Sequence, residues 1–174
     1  KGFNTNCLIN GSSNEIANGV SNATVLGNNG TALREGELVL GGGDGGATSL
    51  FLLNTTTEDT TPTALLVNGN SALSVIERDK DGVYSYTVDI LAYRTGGVSG
   101  SGAVADRVFL KLEGIVLGVI ATERIATIVS SGTVAGWTAA TVFSGTDMSI
   151  KVTGATNMDI TWQGTARYNE LIIT

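Results

Sequence analysis

Between residues 13 and 33 the chain reads SNEIANGVSNATVLGNNGTAL, with never more than three apolar residues between one turn signal and the next. Asn and Gly supply the positive-φ conformations of tight turns. Each turn therefore ends an element before it has buried much surface. A segment of this kind cannot offset its ordering entropy alone and must stack against something. From Cys7 to about Gly46 the apolar clusters Leu8-Ile9, Val25-Leu26 and Leu38-Val39-Leu40 run into the similar endings LING, VLGNN and VLGGG. This rhythm predicts a short solenoid or coiled ribbon. The alternative is a loop-rich β segment of a single globular domain. The missing core is expected from other copies, three chains about one axis, with Ile16, Val25, Leu26 and Val39 facing inward.

The rest of the chain has longer strands. After GGGDGGATS (41–49), which reads as a hinge, TALLVNGNSALSVIE sets Asn68-Gly69 between two apolar runs, a hairpin signal. DKDG (79–82) marks another turn. Its Asp79 and Asp81 faintly resemble a calcium loop but lack the further acidic ligands of one, so no metal site is expected. In VYSYTVDILAYR the residues Tyr84, Tyr86, Val88, Ile90 and Ala92 share a face, as Val108, Leu110 and Leu112 do in the next strand. The alternation is cleanest at Met148, Ile150 and Val152 and again at Met158, Ile160 and Trp162, with GATN (154–157) expected to close a hairpin between them.

Gly at 24 residues, one Pro and abundant Thr, Ser and Asn fit an all-β chain of many turns. The expected fold is a glycine- and asparagine-rich β stalk over 1–46, followed by an antiparallel, jelly-roll-like β-sandwich over 47–174. Trp162, in phase with Ile160, is expected in the core; Trp137 and the tyrosines are open between core and sugar stacking.

Catalytic signals are sparse. The chain has no His, one Cys and no phosphate loop, which removes Ser-His-Asp chemistry, His-ligated metals and Cys-rich zinc sites. Carboxylates are dispersed rather than paired beside an aromatic. The expectation is a protein that is not an enzyme and carries no cofactor. A net charge of −6 with singly scattered basic residues argues against nucleic acid, and no apolar run is long enough to insert in a membrane. The start at Lys1 without Met is read as the mark of a fragment or a processed chain.

The order of the pieces NEIANGVSNATVLGNNGTAL, YTVDILAYRT, FLKLEGIV, GWTAATVF and MSIKVTGATNMDITWQGTARYNEL resembles trimeric tail-fibre proteins of tailed phages, notably those of marine and cyanobacterial hosts. The resemblance implies a homotrimeric, extracellular virion protein, a tail fibre or receptor-binding tip. Its partners would be other tail proteins and a host-surface glycan or outer-membrane receptor. The alternatives are a purely structural virion part (capsid decoration or tail connector) and a glycan-depolymerase tailspike, for which the chain looks too short to hold a long parallel β-helix. Receptor contact is expected in the loop from Thr95 to Asp106, at Gly96, Gly97, Val98, Ser99, Ser101, Val104 and Asp106, because a small-residue loop on a rigid scaffold is free to adapt.

Overall fold

The computed structural model describes residues 3–42, 46–71, 74, 76–77, 83–98, 104–117, 120–145 and 147–171. Every regular element among them is a strand. The first three long ones, β1 (Leu8–Ser12), β3 (Thr24–Asn28) and β5 (Leu38–Gly42), run parallel, with Ile9 beside Val25 and Val25 beside Val39. Between them β2 (Glu15–Ile16) lies parallel to β4 (Thr31–Ala32). The chain thus winds as a coil, advancing sixteen residues from Leu8 to its partner Thr24 and fourteen from Thr24 to Leu38.

The turns make the coil possible. Asn6, Ser13, Asn22 and Asn29 all hold φ between 54° and 57°, at positions that repeat from one rung to the next. Asn14 acts as a staple: its Nδ2 donates to the Gly27 carbonyl at 2.7 Å and its Oδ1 accepts from the Gly30 amide at 2.9 Å. Inside lie Ile16, Val20, Ala23, Val25, Ala32 and Val39. The burial that the sequence reading sought from neighbouring copies is thus supplied within one chain at Ile16, Val25 and Val39. Leu26, on the opposite side of its strand, is half-buried. Sequence spacing could not show this, because the small side chains fill the coil only once its radius is known.

Residues 43–45 of the expected hinge lie outside the described residues, and the strands on either side of them are paired. β5 pairs antiparallel with β6 (Gly46–Thr57), placing Leu38 beside Leu50 and Gly41 beside Ala47, so the coil's sheet continues into the next one. The remaining strands are β7 (Thr63–Ala64), β8 (Leu66–Val67), β9 (Ile76–Glu77), β10 (Val83–Gly96), β11 (Arg107–Leu117), β12 (Ile120–Ser131), β13 (Thr138–Ser144), β14 (Asp147–Thr153) and β15 (Asp159–Leu171). Among the described residues, one sheet has the order β1-β3-β5-β6-β15-β10-β11-β12, with β8 on β6; another has β13-β14-β7, with β9 on β14. These unequal sheets replace the jelly-roll-like arrangement that was expected.

Among the described residues, neither of two expected hairpins is formed. β14 and β15 belong to different sheets, so residues 154–157 cross between layers. Their alternation is alike because both face one core, Met148, Ile150 and Val152 from one side and Ile160 and Trp162 from the other. Asn68-Gly69 is a turn, with φ of 50° and 71°, but β8 pairs with β6, and β9 beyond it pairs with β14. The DKDG turn lies outside the described residues. Trp162 is buried as expected, and Trp137 joins it with ring centroids 6.0 Å apart.

Candidate functional site

The large sheet has a second face, turned away from that core. Register brings Asn54, Gln163, Leu91 and Phe109 into one row across β6, β15, β10 and β11. Leu52, Thr165, Asp89 and Lys111 form the row beside it. These eight residues come from four strands, and the pleat alone points them the same way. Seven of the eight, with Asn68 from the β8 turn, line a groove of about 420 Å³.

The groove's chemistry is mixed. Leu52 and Leu91 are exposed and Phe109 is half-buried, which gives an apolar floor. Among the described residues, no hydrogen bond or ion pair engages the side chains of Asn54, Asp89 or Gln163. Two amides and a carboxylate therefore offer donors and acceptors beside apolar surface, the composition of a site that orients a polyhydroxyl ligand. Asp89 is the carboxylate of this lining among the described residues.

A charged border runs along one side. Lys111 Nζ lies 2.7 Å from Glu113 Oε1. The hydrogen bond from Lys111, and then its charge, hold the Glu113 carboxyl below its ordinary range, and the same contact raises Lys111. Glu113 belongs to the outer face, whereas Glu123 accepts the Tyr86 hydroxyl at 2.7 Å, and Tyr86 belongs to the core face.

The described ends of the loop that the sequence reading favoured lie beyond this groove, past the row of Tyr93, Thr161 and Thr56. Arg94 closes its base: its amide donates to the Asp106 carbonyl at 2.8 Å and its carbonyl accepts from Ala105 at 3.1 Å. Gly97, at φ 100°, packs so tightly on Asn157 and Met158 that a side chain there would collide with backbone. Asp106 is buried beside Gly132. Gly96 ends β10, and Val98 and Val104 are exposed. Ser99 and Ser101 lie outside the described residues. Among the described positions of the loop, Gly97 and Asp106 are thus held in packed surroundings, and none lines the groove.

No family model and no curated protein matches the chain. Among solved structures it is similar to the tailspike protein gp49 of Acinetobacter baumannii bacteriophage Fri1, a capsular polysaccharide depolymerase, at 7% identity and a TM-score of 0.42, over 85% of this chain and 24% of that one. It is also similar to the tailspike of Acinetobacter phage vB_ApiP_P1 (15% identity, TM-score 0.36, 65% of this chain and 20% of that one). A third is the tailspike of Acinetobacter baumannii phage AM24 (8%, 0.32, 86% and 31%). The chain thus spans less than a third of each. One expectation is corrected by this finding: the chain was read as not an enzyme, and the first structure it is similar to is a depolymerase, so that statement is withdrawn.

Proposed function

We propose that the chain is a tail protein of a phage virion and that it holds a host-surface glycan in the groove of Asn54, Asp89, Leu91 and Gln163. The observation that carries the glycan reading is the pair of rows on the outer sheet face. There the unengaged side chains of Asn54, Asp89 and Gln163 stand beside exposed Leu52 and Leu91 and half-buried Phe109. A sugar ring has hydroxyls at its rim and apolar C–H faces, and the two rows match both kinds of surface. The tail location is supported by the resemblance of the strand segments to tail-fibre domains and is in keeping with the tailspike names of the similar structures.

A homotrimer is part of this reading. What supports it is β12, a sheet-edge strand on which Ile125, Ile128 and Val129 are exposed, a surface that a soluble chain normally covers or charges. Three copies would present three grooves, and weak single contacts would add through multivalency. The exposed Val98 and Val104 of the loop would be a second, smaller contact region.

Adsorption to host cells tests the proposal. Replacing Asn54 and Gln163 together by Ala should lower binding by roughly tenfold or more while the fold is retained. A folded double variant that adsorbs like the parent contradicts the assignment.

A further inference from the structure

The face that carries the groove has a charge of opposite sign to the chain's. Beyond the row of Asn54 and Phe109 lies one with Tyr93 and Arg107. On the other side, beyond the row of Leu52 and Lys111, lies one with Arg167, Thr87, Glu113 and Arg124, and past it one with Ser85, Ile115 and Thr122. These five rows hold Arg107, Lys111, Arg124 and Arg167, four of the chain's ten basic residues, but of its sixteen acidic residues only Asp89 and Glu113. Four positive charges against two leave the face net positive on a chain of net charge −6. Solubility alone would be served by either sign.

Lys111 and Glu113 neutralise each other across 2.7 Å. Three guanidinium groups are left. Arg107, Arg124 and Arg167 are exposed, and no ion pair among the described residues engages them. Rows lie about 7 Å apart along a strand and strands about 5 Å apart, which separates Arg107 from Arg167 by on the order of 20 Å and Arg167 from Arg124 by about 14 Å. Ser85, Thr87, Ile115, Thr122 and Arg124 border a hollow of about 390 Å³, one row on from the groove. At physiological ionic strength exposed charges act over about 8 Å, so a ligand on this face meets these cations rather than the chain's overall negative charge.

We propose that the glycan held on this face is anionic, a polysaccharide with a carboxylate on its repeating unit, and that Arg107 on one side of the groove and Arg167 and Arg124 on the other meet its carboxylates. The inference rests on the groove as the glycan site. A guanidinium suits the task because it stays charged and bonds both oxygens of a carboxylate. Single cations set well apart match single charges that recur along a polymer, whereas a compact, multiply charged anion would call for clustered cations. Asn54 and Gln163 then hold hydroxyls between the charged contacts, and the hollow beside Arg124 continues the polymer's path past Thr87.

The test is titration calorimetry of the whole chain with host-surface polysaccharide and with the same polymer after its carboxylates are reduced to neutral alcohols. Reduction should weaken binding roughly tenfold or more. The double variant Arg124→Gln, Arg167→Gln should weaken binding of the unreduced polymer to a similar degree while keeping the parent's melting temperature. Lys151→Gln, on the smaller sheet, should leave the affinity for the unreduced polymer unchanged. Equal affinity for the two polymers would overturn the inference and leave the groove standing. So would a folded arginine double variant that binds the unreduced polymer like the parent, or a loss as large in Lys151→Gln, because the chain's total charge would then be what the polymer senses. If neither polymer binds, the groove and the inference fall together.

Discussion

Trp162 Nε1 donates a 2.8 Å hydrogen bond to Thr57 Oγ1, and both residues are buried. The contact joins β15 to β6 inside the core, where the Trp137 ring also lies against that of Trp162. One indole thus fills the space between the two sheets and satisfies its own polar atom there, which is the condition for burying a tryptophan without penalty.

Trp162→Ala should accordingly cost about 3–5 kcal/mol, as for other large-to-small changes at aromatic core positions. Thr57→Val keeps the volume but leaves the indole N–H unpaired and should cost about 1–3 kcal/mol. Denaturant melts of both variants check this. Thr57→Val melting like the parent would show that the bond contributes little.

The coil has its own anchor. Glu37, 1% exposed, accepts the amides of Leu33 and Arg34 at 2.9 and 3.0 Å and pairs with the Arg34 guanidinium at 2.9 Å. Arg34 also lies 3.9 Å from Glu170 of β15, which accepts the Tyr84 hydroxyl at 2.8 Å. Removing one partner of a buried pair strands the other, at about 3–5 kcal/mol. Glu37→Ala should therefore loosen the coil first, seen as faster amide exchange at Thr24–Asn28 than in the β10–β15 ladder. A uniform loss across both regions would mean that they unfold as one unit.

The Lys111–Glu113 contact makes a prediction about pH. Its folded-state effect is to lower the Glu113 carboxyl below its ordinary value. A carboxyl lowered in this way contributes stability that is present above its unfolded pKa and is lost as pH falls through the folded one. The pair is solvent-exposed, so the gain is small and salt-screened. In an NMR titration Glu113 should protonate at lower pH than an ordinary glutamate, and Lys111→Met should move it back up. No movement would show that the contact does not persist in solution.

The extent to which this fold can be read from sequence follows from what alternation encodes. Period 2 states which side chains of a strand share a face, and the buried faces of β10, β11, β14 and β15 are those the pattern indicates. It does not state which strand lies alongside. Met148–Val152 and Met158–Trp162 carry the same pattern because they cover one core from opposite sheets, so the segment between them reads as a hairpin and is a crossover. Asn68-Gly69 is legible as a turn for the conformational reason that both residues tolerate positive φ, but the partners of its flanks are set by long-range pairing. The groove was invisible for the same reason. Asn54, Asp89 and Gln163 are ordinary exposed strand residues until the register of β6, β15 and β10 sets them side by side. The coil's small core was legible as a rhythm, and its closure within one chain was not, because that depends on Ala23 and Ala32 letting the rungs approach.

The most direct test of the account is to titrate the purified protein with host-surface polysaccharide and map backbone and side-chain amide shifts by NMR. The account predicts that the Asn54, Asn68 and Gln163 amide signals move together and saturate, with the signals of Asn4 and Asn14 in the coil unmoved. Shifts confined to Val98 and Val104, with Asn54 and Gln163 unaffected, would contradict the groove as the place where the glycan is held.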